Sequence, residues 1–250
     1  MRFSIITVCY NASKTIRTTI ESILSQQNEE VEYIIIDGES KDGTIEIIRS
    51  FQNQIAYFSS EPDNGIYDAM NKGISKASGD FIGILNSDDF FAHSGVLKTV
   101  SQAFFQNPDI DGVYGDLVYV DQQNPNKVKR YWKAGYFNPK NFYWGWMPPH
   151  PTVFLRREVY QSVGSFNLKL RSAADYEFLL RACLKFGKKL HYIPEILVSM
   201  RMGGKSNASL NNRFQANVED RLAWKVNSLK GGHLASLLKP FRKISQFFIK

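Results

Sequence analysis

Apolar runs of strand length alternate with amphipathic helical stretches through the first hundred residues, and this rhythm constrains the fold more than any other feature. Residues 3–9 read as a buried strand. Residues 12–27 read as a helix, because Ile16, Ile20, Ile23 and Leu24 recur at the spacing of one helical face. A second apolar run, 31–36, ends at Asp37-Gly38, and Asp42-Gly43-Thr44 opens a helical segment to about Phe51. Residues 55–59 suggest a short strand, 65–77 a helix, and 81–85 a further strand stopped by Asn86-Ser87-Asp88-Asp89. Such alternation demands a mostly parallel sheet flanked by helices, so the predicted class is α/β. After about Asp109 the rhythm changes. Short strands are expected at 113–120 and 127–132, then an aromatic, Gly- and Pro-rich stretch over 132–151, a helix over 171–186 and a strand over 189–193. The expected organisation is one domain over 1–220, in halves 1–107 and 108–220, followed by a tail, 221–250.

Composition narrows the class. With 43% hydrophobic residues in 250, the chain can bury a core without disulfide or metal staples. Two cysteines, Cys9 and Cys183, provide neither a disulfide framework nor a Cys-based zinc site, and fit a reducing compartment. Met1-Arg2-Phe3 runs straight into the first strand, so no signal peptide is expected, and no apolar run has the length of a membrane span. The net charge of +7 is unevenly placed: residues 221–250 hold seven basic and no acidic residues, leaving 24 against 24 elsewhere. A basic excess confined to a tail argues against nucleic acid and for an anionic surface met by the C-terminus.

No Gly-x-Gly, Walker A or His-Glu-x-x-His pattern occurs. Acidic residues do stand at three expected strand ends: Asp37, Asp63 and the Asp88-Asp89 pair. Each alone fits a helix cap or turn. Together they fall on the sheet edge where open α/β folds bind ligands. Hard carboxylate oxygens directly after a buried strand suit Mg²⁺ or Mn²⁺, usually completed by substrate phosphates.

The linked stretches Ser4-Ile5-Ile6-Thr7-Val8-Cys9-Tyr10-Asn11, Ile36-Asp37-Gly38-Glu39-Ser40-Lys41-Asp42-Gly43-Thr44, Glu61-Pro62-Asp63-Asn64-Gly65-Ile66-Tyr67-Asp68-Ala69-Met70-Asn71-Lys72-Gly73 and Leu85-Asn86-Ser87-Asp88-Asp89 carry a family resemblance. Over roughly residues 1–205 the chain resembles family 2 glycosyltransferases of the GT-A type, similar to bacterial enzymes of capsule and lipopolysaccharide assembly. The resemblance implies a GT-A fold with a nucleotide-sugar-binding half, 1–107, and an acceptor-binding half, 108–220. Thr7, Tyr10, Asn11, Asp37, Asp68, Lys72, Asn86, Ser87 and Asp88 would then bind the donor, with Asp37 on the base or ribose. Asp88 would hold Mn²⁺ or Mg²⁺ against the diphosphate, although Asn86 stands where the family's first aspartate is expected. Asp89 is either a further ligand or a turn cap.

Ser172-Ala173-Ala174-Asp175-Tyr176-Glu177 matches the family's Glu-Asp motif with Ala174 in place of glutamate. Asp175 is then the general base of an inverting transfer, or a helix cap, or both. His150 is a candidate metal or sugar ligand, or a structural histidine of its Pro-rich loop. Trp144 and Trp146 either stack on sugar or pack in the core. Arg201 and Lys205 belong to a lid over the diphosphate or to an ordinary basic loop. Leu234, Leu237, Leu238, Phe241, Ile244 and Phe248 share a helical face in the basic tail. That is the pattern of an interfacial helix on anionic lipid; a helix packed on the domain or on a second copy is the other reading.

The resulting expectation is a metal-dependent, inverting, non-processive transferase with a UDP-sugar donor. Its acceptor would be a glycan or lipid-linked glycan at the cytoplasmic face of the membrane. A catalytically impaired sugar-nucleotide scaffold and a nucleotidyltransferase are the alternatives.

Overall fold

The two longest apolar runs of the first half pair side by side. In the computed structural model, which describes residues 1–27, 29–203, 210–242 and 246, β1 (Arg2–Cys9) lies parallel to β2 (Glu30–Asp37), with Cys9 opposite Asp37. Between them runs α1 (Ile16–Leu24); after β2 come α2 (Thr44–Arg49), β3 (Tyr57–Ser60), α3 (Ile66–Lys76) and β4 (Phe81–Ile84). These four strands form a parallel set in the order β3-β2-β1-β4. The right-hand half is mixed. It contains β5 (Asp89–Phe91), α4 (Val96–Gln106), β6 (Gly112–Val120), β7 (Val128–Trp132), β8 (Phe154–Arg156), α5 (Arg157–Val163), α6 (Ala174–Leu180) and β9 (Leu190–Arg201). The sheet continues β4-β8-β6-β9-β5, with β7 paired to β6, and β6 parallel to β9.

Strand periodicity explains the two cores. Ile6, Val8, Ile34 and Ile36 face one side, under α3 and α6; Ile5, Tyr33 and Ile35 face the other, under α1 and α4. Gly73 is required where α3 crosses β1, because a Cβ there would collide with Ile6. Within the second half, Asp116 of β6 ties neighbouring elements together, fully satisfied by Tyr131 Oη of β7 (2.6 Å), Tyr192 Oη of β9 (2.8 Å) and the Ala134 amide (2.8 Å).

The expected boundary at 220/221 falls inside α7 (Leu210–Val226), which is followed by α8 (Gly232–Arg242). Trp224 is buried in the main core and donates to Tyr176 Oη at 2.9 Å. Lys239 Nζ meets Asp220 at 2.6 Å and sits 3.8 Å from the Tyr176 ring centroid. The basic tail is therefore, as far as Arg242, a helical hairpin packed on the domain. Ile244 and Phe248 lie outside the described residues, as does Lys205. Among the described residues no helix is long and apolar enough to cross a membrane.

Removing residues after Lys230 takes Lys239 away from Asp220 and uncovers Trp224. Losing one side of a buried ion pair costs about 3 kcal/mol, or roughly 6–12 °C in Tm at this chain length. Differential scanning calorimetry of the truncated chain should show that drop, and an unchanged Tm would make α8 a dispensable appendage.

Candidate active site

Two loops after β1 and β2 are stitched together before anything can bind. The Asn11 amide donates to Ser40 Oγ (2.8 Å), Asn11 Oδ1 accepts from the Lys41 amide (2.9 Å), and the Ala12 amide donates to Thr44 Oγ1 (2.8 Å). Asn11 holds a left-handed φ of 50°, which asparagine tolerates. Against the opposing effect of burial, hydrogen bonds from Thr44 and Ser13 draw Asp42 down to about 2.

The same stitching gives several of the expected donor ligands partners within the protein. Asp37, expected on the base or ribose, is fully buried and accepts from the Ser40 amide (2.9 Å), Ser40 Oγ (2.5 Å) and Ser60 Oγ (2.7 Å), so its carboxylate holds the loops together. Thr7 is likewise buried, bonded to Tyr33 Oη at 3.1 Å. Asp68 Oδ2 accepts from the Asn64 amide at 3.0 Å, and Lys72 Nζ is held by Glu61 and the Pro62 carbonyl, both at 3.0 Å. The Glu61 hydrogen bond raises the Lys72 ammonium above its usual range. Asp68 and Lys72 therefore fasten the turn at 61–65. Tyr10, just past the end of β1, is half exposed. Beside it lies Asp63, a residue outside the expected ligand set: a Cβ on Gly38 would strike the Asp63 carboxylate and touch the Tyr10 ring. The glycine in Ile36-Asp37-Gly38 was the available signal.

At the end of β4, Thr19 Oγ1 of α1 pins the acidic motif by donating to the carbonyls of Ser87 (3.0 Å) and Asp89 (2.7 Å). Asp89 is fully buried at the start of β5 and is not an exposed turn cap. Its Oδ2 accepts from Asn86 Nδ2 at 3.2 Å, whereas Asn86 Oδ1 and Asp89 Oδ1 are buried with no hydrogen-bond partner. Asp116 shows how this chain satisfies a purely structural buried carboxylate; Asp89 is left half unsatisfied. Burial raises Asp88 above the usual carboxylate range, with Arg201 opposing, and burial plus Asp88 raises Asp89 further. Arg201 is not on a lid. It is buried at the end of β9, stacks 5.0 Å over Phe90 and donates to the Asp88 carbonyl at 2.8 Å.

These donors are the all-oxygen kind that a hard divalent cation takes, and two orphaned oxygens fit that use. Among the described residues no three His, Cys, Asp or Glu side chains converge, so phosphate oxygens would have to complete the coordination. His150 is not brought into such a cluster. Burial lowers its pKa, Asp175 being the charge that opposes, and its ring meets Phe166 edge-on at 5.6 Å.

Asp175 stands in the first turn of α6, braced from three elements. Tyr67 Oη of α3 donates to Asp175 Oδ1 at 3.0 Å, across 108 residues of sequence. Glu219 of α7 accepts from the amides of Ser172 (2.7 Å) and Ala173 (3.1 Å), fixing the entry to the helix. Tyr176, the next residue, is held by Trp224 and Lys239. Ala174 is fully buried, so a glutamate in its place would have to hide its charge in the core. The neighbouring tryptophans diverge: Trp144 is 55% exposed, whereas Trp146 is 6% exposed and spends its indole N–H on the Ala134 carbonyl at 2.8 Å. Trp146 is thus core, not a sugar platform.

Comparison with known proteins completes the picture. S. aureus TarS in complex with UDP-GlcNAc superposes with a TM-score of 0.72 at 20% identity, over 97% of this chain and 72% of that one. The mannosyltransferase PcManGT from Pyrobaculum calidifontis, in complex with GDP-Man and Mn²⁺, gives 0.68 at 15% identity over 98% and 72%. These likenesses establish the GT-A fold. An uncharacterized glycosyltransferase of Mycobacterium tuberculosis is 32% identical over 188 residues, 72% of this chain and 68% of its own. A PGL/p-HBAD biosynthesis glycosyltransferase of Mycobacterium bovis is 26% identical over 216 residues, 85% and 82% of the two chains. The model for glycosyl transferase family 2 matches residues 4–164, well over half of the sequence, and the chain is a member of that family of glycosyltransferases.

Proposed function

We propose that this glycosyltransferase moves one sugar, with inversion, from a nucleotide-diphosphate sugar to a hydroxyl of a glycan or lipid-linked glycan in bacterial surface polysaccharide assembly. The observation that carries the reading is the braced Asp175 carboxylate, tied through Tyr67 to the helix that follows the donor-side motif. An acceptor hydroxyl beside Asp175 would lose its proton to the carboxylate as it attacks the anomeric carbon, while the nucleoside diphosphate departs on the opposite face. Asp88, with Asp89 and Asn86 Oδ1, would hold a divalent cation, which when bound neutralises the diphosphate. Arg201 adds fixed positive charge at the same place. Tyr10 and Asp63 would meet the nucleoside.

The neighbours' UDP-GlcNAc, and GDP-Man with Mn²⁺, support a nucleotide-sugar donor and divalent-cation use. We take a UDP-sugar as the first candidate. The relative named a PGL/p-HBAD biosynthesis glycosyltransferase supports a biosynthetic transfer, and we take the acceptor to be met at the inner membrane face.

A thermal-shift screen of UDP- and GDP-sugars with Mn²⁺ or Mg²⁺ tests the donor. The true donor at a hundred times its Kd adds about 2.7 kcal/mol, or roughly 5–11 °C in Tm. No shift with any nucleotide sugar, and no release of nucleotide in a turnover assay, would leave a protein without this activity.

Tyr67→Phe isolates the brace. It deletes one hydrogen bond to a charged group, worth about 1.5 kcal/mol or more, so kcat should fall about tenfold with the donor KM unchanged. An unaltered kcat in steady-state assays would reduce Tyr67 to packing against Phe166.

A further inference from the structure

Helices α7 and α8 turn apolar side chains outward. Val218, Leu222 and Val226 of α7 are exposed and, at i, i+4 and i+8, share one face. On α8, Leu234 and Leu237 are 47% and 58% exposed, while Ala235 and Ser236 face inward. The helices are tied by Asn217 Nδ2 to the Ser236 carbonyl (2.9 Å) and Arg221 Nε to Ser236 Oγ (3.1 Å). The exposed Trp144 adjoins them, since the backbone of its neighbour Gly145 lies against Ala235 and Lys239. A surface helix ordinarily shows polar residues on its outer face. Five aliphatic chains and an indole on adjoining helices and turn are a surface built to be covered.

Charge identifies the cover. Residues 221–250 include seven basic and no acidic residues. Lys239 is paired within the fold with Asp220, whereas Arg221, Lys225 and Lys230 are exposed. A second copy docking through the same face would set these cations against themselves. Nucleic acid would match the charge but offers no apolar phase to the leucines. We propose that the α7–α8 face docks on an anionic phospholipid bilayer, with the apolar side chains entering the acyl boundary, Trp144 at the interface and the cations on headgroups. This deepens the proposed lipid-linked acceptor and rests on that reading for its purpose, though not for its test.

The full-length protein is sedimented with vesicles of phosphatidylcholine, alone or with about one third phosphatidylglycerol. Binding to the anionic vesicles is expected, at least about tenfold weaker on phosphatidylcholine alone, and weakened again by raised salt. The double variant Leu234→Ser/Leu237→Ser should bind anionic vesicles about tenfold less, with unchanged Tm and unchanged transfer to a soluble acceptor, because both side chains already face solvent. Equal partitioning of wild type and variant, or no preference of wild type for anionic vesicles, overturns the proposal. So does a wild-type dimer that the variant converts to monomer, which would make the face a protein interface. Transfer to the soluble acceptor is read separately, so failure of docking and failure of the enzymatic reading cannot be confused.

Discussion

Asp175→Asn is expected to cut kcat by about 10²–10⁴-fold, the usual cost of losing a general base, while leaving donor binding intact. The amide is nearly isosteric and can still accept the Tyr67 hydroxyl now 3.0 Å away, so the brace of α6 survives. What is lost is the capacity to take a proton. Steady-state kinetics with a competent acceptor, beside the donor-induced thermal shift, separates the two roles. An unchanged kcat would leave Asp175 as a first-turn carboxylate favoured only by the helix dipole.

Asp88→Ala should have an effect of similar size on cation-dependent transfer, about 10²–10³-fold or more, with no loss of stability. Its backbone carbonyl, not its carboxylate, accepts from Arg201, so the substitution leaves that hydrogen bond in place. Burial raises the Asp88 pKa in the fold, and a carboxyl so raised destabilises the folded state at higher pH, where it is forced to ionise. Its removal also relieves repulsion of Asp89. The Tm should therefore stay level or rise while turnover collapses across a Mn²⁺ titration. Full turnover at low Mn²⁺ would show that the diphosphate is handled elsewhere.

The parallel half of the sheet was legible because β1, the end of β2 and β4 are buried on both faces and its helices show one-face periodicity. α4 was equally readable, since Val96, Val100, Ala103 and Phe104 are buried on one face, yet the expectation passed over it. β5 and β8, three residues each, are too short to leave a pattern and exist only through pairing with β9 and with β4 and β6. Site residues divided on burial, which spacing does not report. Asp37 ends β2 and Asp63 follows β3, but one carboxylate is consumed by serines under the loop and the other lies over Gly38. Trp144 and Trp146 part company because Gly145, at φ 74°, reverses the chain between them. The charge bias of the last thirty residues was plain in the sequence; that Lys239 would turn inward to Asp220 and Tyr176 was a matter of tertiary partners.

The brace on Asp175 has a consequence for the order in which a newly made chain becomes an enzyme. The proposed donor-side motifs and the proposed base are all synthesised by residue 175, yet Glu219, Trp224 and Lys239 fix the start of α6 only after residues 219–239 have emerged. A nascent chain can thus fold its nucleotide-facing half early while its base is still unset. On the proposed reading, turnover of a costly activated sugar, including wasteful hydrolysis, would be withheld until residues 219–239 have been made. The same elements that brace Asp175 carry the outward leucines, so on the proposed reading competence would arrive together with the docking surface.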